Sequence, residues 1–195
     1  MKNLKFCVAC MADQNYDVRE EMETYPVKGE SITIEANVTY CNVCGEQIWD
    51  QELDDKNLVK AFRIYREKHN LLQPEEIKNI REKYGLTQMA FAQILGLGDK
   101  TIARYEAGSI QDAAPNTLIS LSRYPNVFKE MVETNKVRIP EAIYQSVSER
   151  LSEFEPKVIH KGEKIQYKTN ANNYFLGDAM NSCVMFGGLK YECAG

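Results

Sequence analysis

At 195 residues, with 44% apolar and 27% charged side chains, the chain has the length and composition of one mid-sized or two small globular domains. No run approaches the roughly 18 consecutive apolar residues of a helical bilayer span. The opening Met1-Lys2-Asn3-Leu4-Lys5-Phe6-Cys7 lacks the apolar core of a signal peptide, so the expected location is the cytoplasm. The net charge of −4 is unevenly spread: residues 1–70 carry 9 basic and 13 acidic side chains, residues 71–139 carry 9 and 8, and residues 140–195 carry 6 and 7. The acidic N-terminal part is either a solvated face or a surface suited to a basic partner.

Four of the six cysteines form two pairs, Cys7-Val8-Ala9-Cys10 and Cys41-Asn42-Val43-Cys44-Gly45. In a reducing compartment such pairs point to metal before disulfide. Two thiolates two residues apart grip one ion from a tight turn, and two such turns complete a tetrahedral S4 shell, the pattern of one structural Zn2+ per chain. A thioredoxin-like redox pair would need a βαβ setting, and a catalytic zinc would need an open position that four thiolates do not leave. Neither His69 nor His160 has ligand spacing. Gly45 suits the second turn, whereas Met11 follows the first. Between the pairs, Ile32, Ile34, Ala36, Val38 and Tyr40 alternate with polar residues, which predicts a half-buried strand running into Cys41. An earlier strand is expected near Tyr16–Thr24, with Tyr25–Gly29 as the turn. The result is a zinc-ribbon-like hairpin whose small core depends on the metal.

Residues 52–69 predict a helix with Leu58, Phe62 and Tyr65 on its inner face and Ala61 beside them. Lys56, Lys60, Arg63, Arg66 and Lys68 occupy the other positions, as a solvated face or a DNA-backbone contact. Asn70-Leu71-Leu72-Gln73 breaks the pattern and forms the expected hinge.

Residues 74–132 are punctuated as about five short helices. Pro74 opens the first, followed by Glu75 and Glu76, with Ile77 and Ile80 inward and Gly85 as terminator. Thr87 caps the second, which contains Met89, Ala90, Phe91, Ala92, Ile94 and Leu95. Gly96-Leu97-Gly98 forms a tight turn, and Asp99 is expected to cap a third helix from Lys100 to about Glu106. Two short helices joined this way are a helix-turn-helix, whose second helix presents its N-terminal residues to base edges. Ile102 and Tyr105 face the core, leaving Lys100, Thr101 and Arg104 outward, where Arg104 suits guanine, Lys100 guanine or phosphate, and Thr101 either. Gln88 is placed to reach phosphate or support a base contact. The same pattern also occurs in structural helical bundles. Pro115 and Pro125 open two further helices, with Leu118, Ile119, Leu121 and with Val127, Phe128, Met131, Val132; apolar surplus there would be a homodimer seam.

In order and spacing, Cys7-x-x-Cys10, Cys41-x-x-Cys44-Gly45-Glu46, Leu86-Thr87-Gln88, Gly96-Leu97-Gly98 and Ala103-Arg104-Tyr105-Glu106-Ala107-Gly108 resemble the MqsA/YgiT-type antitoxin family over about residues 5–135. The resemblance implies a zinc domain joined to an Xre-like helix-turn-helix that dimerises on an operator palindrome. It also implies an N-terminal domain that neutralises a small toxin, RNA-cleaving in the type member. Arg104 matches a base-contacting arginine of the family; Lys100 stands where the type member has asparagine, which bears on the operator sequence.

The expected fold is α+β: a zinc-binding β domain at 1–50, a connecting helix and hinge at 51–73, an Xre-type DNA-binding domain at 74–135, and a C-terminal extension at 136–195. In that extension Pro140 opens a helix with Ile143, Val147 and Leu151, and Cys183 and Cys193 are read as free thiols; the remainder is a small partner-binding module or a tail. No nucleophile–base set, phosphate loop or open metal site appears, so no enzyme is expected. The expected function is antitoxin and autorepressor, with operator DNA and a small basic toxin as partners. The alternative is a stand-alone zinc-containing regulator without a toxin.

Overall fold

The computed structural model describes residues 4–154, 157–161 and 164–168. Residues up to Leu151 form one compact unit and the chain from Ser152 belongs to a second. The first unit is α+β, a four-stranded antiparallel sheet followed by helices. Strands β1 (Leu4–Cys7), β2 (Ala12–Val27), β3 (Glu30–Cys41) and β4 (Gln47–Ile48) lie in the order β1-β2-β3-β4. The long β2–β3 hairpin pairs Tyr16 with Cys41 at one end and Val27 with Glu30 at the other. Its connection is only Lys28-Gly29, tighter than the turn expected at Tyr25–Gly29. Both residues take positive φ, 48° and 84°, as the two-residue turn that matches strand twist requires.

The alternation expected in β3 is present: Ile32, Ile34, Ala36 and Val38 are buried. They pack with Val27 against Ala61 of helix α1 (Gln51–Lys68), with Tyr25, Tyr40, Phe62, Tyr65 and Ile110 around them. Asp50 caps α1, accepting from the Glu52 and Leu53 N–H groups. The inner stripe of α1 differs from the expected one. Leu58 faces outward, 37% exposed, and Asn57 lies inside at 1%. The reason is the edge of β3: the Asn57 amide accepts from the Asn37 N–H at 3.0 Å and donates to the Asn37 carbonyl at 2.9 Å, closing that edge as a strand would. Arg66 is also buried, contrary to its expected outer position, and donates to the Gly108 carbonyl.

The helical part comprises α2 (Pro74–Lys83), α3 (Gln88–Ile94), α4 (Thr101–Glu106), α5 (Ala113–Leu121), α6 (Pro125–Thr134), a 3-10 turn at Lys136–Arg138 and α7 (Glu141–Ser152). Phe91, Ile77, Ile94, Ile102, Ile119 and Phe128 fill its core, with Phe128 stacked on Tyr84 at 4.2 Å between ring centroids. Thr87 caps α3 by accepting from the Ala90 N–H at 3.2 Å. Asp99 does not cap α4: Lys100 occupies the N-cap position, and the Asp99 carboxylate instead accepts from Gln93 Nε2 at 3.3 Å. Helix α5 starts two residues before Pro115. In α7, Val147 and Leu151 are buried as expected.

The segment between α1 and α2 is tied to the helical part by hydrogen bonds: Leu72 N–H donates to Asn116 Oδ1 at 2.9 Å, and the buried Gln111 Nε2 to the Leu72 carbonyl at 2.6 Å. In the second unit, strands β5 (Lys157–Lys161) and β6 (Lys164–Lys168) form an antiparallel hairpin. Cys183 and Cys193 lie outside the described residues. No described helix is long and apolar enough to cross a membrane.

Candidate metal centre and helix-turn-helix face

The metal centre is built from both ends of the sheet sequence. Cys7 closes β1, Cys10 lies in the turn before β2, Cys41 ends β3 and Cys44 lies in the turn before β4. Pairing of β1 with β2 and of β4 with β3 brings the two turns together. Met11 adopts φ 52° and Gly45 φ 78°, so each turn is closed by a left-handed residue directly after its second cysteine. Methionine thus takes the conformation for which the second turn uses glycine. The Gly45 N–H returns to the Cys41 carbonyl at 2.9 Å.

All four sulfurs lie within 4.8 Å of one another. Cys7–Cys44 is 3.5 Å and Cys10–Cys41 is 3.9 Å. These distances are far above the roughly 2.05 Å of a disulfide, and they bracket the ~3.8 Å edge of a tetrahedron with ~2.3 Å metal–sulfur bonds. The Cys44 N–H, and after it the Val43 N–H, draw the Cys41 thiol down to about 7 against the effect of burial. Cys10 is pushed up to about 12, first by its hydrogen bond with the Cys44 sulfur and then by burial. Without a cation, four clustered thiols cannot all ionise; a divalent metal removes that conflict. The four cysteines are therefore a site that can hold a metal ion.

The second candidate site is the pair α3–α4. Gly96, at φ 68°, turns the chain between them, and Ile102 and Tyr105 anchor α4 in the core. Lys100 and Arg104 are exposed and Thr101 is half-buried. Gln88 is half-buried, with Nε2 donating to Glu106 Oε2 at 2.7 Å. That carboxylate also accepts from Arg81, Nε to Oε1 at 2.7 Å and Nη2 to Oε2 at 2.9 Å. Sequence reasoning missed this clamp; 25 residues separate Arg81 from Glu106, and no local pattern signals it. Burial alone would raise the Glu106 pKa, but Arg81 and Gln88 outweigh it and hold the carboxyl below its usual range. The clamp locks α4 to α2 and orients Gln88.

The basic residues of α1, read from sequence as a solvated face or a DNA contact, are each engaged within the protein. Lys56 pairs with Glu52, Arg63 with Glu75 and Lys68 with Glu30, while Lys60 donates to the Glu35 carbonyl. These contacts favour the structural role.

A sheet whose four clustered cysteines can hold a metal ion is thus followed, within one compact unit, by a series of short helices. Residues 4–132 match the family model described as the antitoxin component of bacterial toxin-antitoxin system, MqsA, and the chain belongs to that family. No curated protein matches it.

Proposed function

We propose that the protein is a zinc-stabilised antitoxin that binds its own operator as a homodimer and represses its operon. The observation that carries the DNA reading is the outer face of α4, where Lys100 and Arg104 are exposed beside Thr101 on a helix whose opposite side is fixed by Ile102, Tyr105 and the Arg81–Glu106 clamp. A rigid helix with free donors is what base readout demands. Exposed Leu121 and Tyr124, 41% and 47%, supply apolar surface for a seam between two copies. Zn2+ is the metal that fits four thiolates in a closed tetrahedral site of a reducing compartment.

Arg104→Ala is expected to weaken binding to the duplex upstream of its own gene by about 1–3 kcal/mol and to relax one position in each half-site. Fluorescence anisotropy against a panel of single-base operator variants measures both. Unchanged affinity and base preference would place the reading surface elsewhere.

The toxin reading rests on the outer edge of β2. Asn37 faces Asn57, so its register partner Glu20 faces away from β3. Alternation then puts the N–H and C=O groups of Val18, Glu20, Met22 and Thr24 on the outer edge. Pro26, which has no N–H, falls in the same set, where it breaks no ladder bond. Strand β1 covers β2 only as far as Asn15. The open edge carries exposed Val18 and Met22, together with Glu20 and Glu21. Four thiolates with one Zn2+ add a formal charge of about −2 nearby. An apolar, acidic edge suits a strand from a small basic protein. Met22→Pro removes an outward N–H without breaking the β2–β3 ladder. It should weaken capture of the adjacent gene's product by roughly tenfold or more, about 1.4 kcal/mol. Co-purification at wild-type level by the proline variant would contradict docking at this edge.

A further inference from the structure

In residues 4–154 nearly every lysine and arginine has a partner within the protein. Those of α1 are accounted for above. In the helical part Lys78 pairs with Glu82 and Arg123 with Glu76, Lys83 donates to the Arg123 carbonyl, and Lys136 lies 4.0 Å from the centre of the Tyr144 ring. Within residues 4–154 three cations make no hydrogen bond, ion pair or ring contact: Lys100, Arg104 and Arg138. The first two belong to the α4 face. Arg138 lies in the 3-10 turn at Lys136–Arg138, beyond the span matched by the family.

Its side chain is exposed, but the backbone that carries it is anchored on both sides. Asn135 Nδ2 donates to the Ile94 carbonyl at 3.0 Å, tying the start of the 3-10 turn to the end of α3. Ile139, on the other side, is buried. The Arg138 guanidinium lies against the helix-turn-helix turn itself: a Cβ placed on Gly96 would be 3.5 Å from Arg138 Nη1. Glycine at 96 is called for by the φ of 68°; the 3.5 Å separation is ordinary contact and places the guanidinium beside the turn. The turn leads directly to Lys100 and Thr101. An arginine with no partner, held between two anchors at the entry to the reading helix, has the chemistry and place of a phosphate clamp.

We propose that Arg138 contacts a backbone phosphate of the DNA flanking the bases read from α4, extending the interface beyond the residues shared with the family. The inference rests on the DNA reading above. Arg138 contributes register and affinity; base choice stays with Lys100, Thr101 and Arg104.

Full-length wild type, Arg138→Gln and Arg138→Lys are to be titrated on the upstream duplex and on a scrambled duplex of equal length, between 50 and 200 mM salt. Neutralising one phosphate contributes about 0.9 to the slope of log affinity against log salt. A homodimer carries two such arginines, about 1.8 in slope, so over that fourfold salt range wild type should lose about 12-fold more affinity than Arg138→Gln. The ratio between the two duplexes should stay the same, and Arg138→Lys should restore most of the slope. If wild type binds its operator with a steep salt slope and Arg138→Gln has the same slope, the clamp is refuted while the DNA reading stands. If wild type binds neither duplex, both fall. A change in base preference in Arg138→Gln would also overturn the assignment, since a phosphate contact carries no base identity.

Discussion

Purified protein should carry about one Zn2+ per chain, and chelation or Cys41→Ser should detach β1, β4 and both cysteine turns while leaving the β2–β3 hairpin on α1. The apparent binding energy of structural zinc is roughly 10–16 kcal/mol, more than any other single contact here contributes. Two separate clusters explain why the damage is local. Cys7, Cys41 and Ile48, with Cys10 and Tyr16, form one. The hairpin cluster of Val27, Ile32, Ile34, Ala36, Val38 and Ala61 contains no cysteine. Strands of four and two residues are marginal by pairing alone, so a metal on the four cysteines is expected to hold them. Unfolding of the whole zinc-binding part, which the sequence alone suggests, is not expected, because α1 supplies the hairpin with a core of its own. Hydrogen exchange should show amides of residues 4–15 and 41–48 losing protection on chelation and those of residues 30–38 keeping it. Uniform loss across both groups, or full protection without metal, would contradict the two-cluster account.

Glu106→Gln should destabilise the helical part by about 3 kcal/mol, measured by urea unfolding. The Glu106 and Arg81 side chains are 6% and 10% exposed, so the substitution takes the buried carboxylate from a buried cation and leaves it the half-exposed Glu82, 3.5 Å away, as its remaining anion. Glutamine also offers one acceptor oxygen where the carboxylate has two, so either Arg81 Nε or the pair Arg81 Nη2 and Gln88 Nε2 loses its acceptor. Replacing both charges together, Arg81→Met with Glu106→Leu, should recover most of the loss, because the buried charge is what costs. The pH dependence has a defined sign. The folded pKa of Glu106 lies below its unfolded value. Its contribution is therefore fully present above the unfolded pKa of about 4.3 and is lost as pH falls through the folded pKa. Between pH 6 and 3 the stability of Glu106→Gln should fall less than that of wild type. Parallel pH curves would show that Glu106 is not held ionised by Arg81.

The features legible in the sequence are those with local signatures. Period-two burial from Ile32 to Val38, the two Cys-x-x-Cys turns, the Thr87 cap and the Gly96 turn each occupy a few consecutive residues whose chemistry admits one structure. Strands β1 and β4 are too short to show a period, and β2 is mostly polar because one of its edges and much of its surface face water. The inner stripe of α1 departs from its apolar pattern for a physical reason: the pattern points to Leu58, whereas the edge of β3 is met by an amide, which Asn57 supplies. Arg66, Gln111 and the Arg81–Glu106 clamp satisfy backbone or charge across 25 to 42 residues of sequence, where no spacing rule applies. Arg138 was hidden likewise, since its meaning comes from Gly96, distant in sequence and adjacent in space.

The proposal that this antitoxin-family protein reads its own operator is tested most directly by titrating the full-length protein, loaded with zinc, on the duplex upstream of its gene and on a scrambled duplex at about 0.15 M salt. The account predicts affinity for the upstream duplex at least roughly 10³-fold tighter, saturation at two chains per palindrome, and a steep fall with salt. Equal affinity for the two duplexes would contradict it.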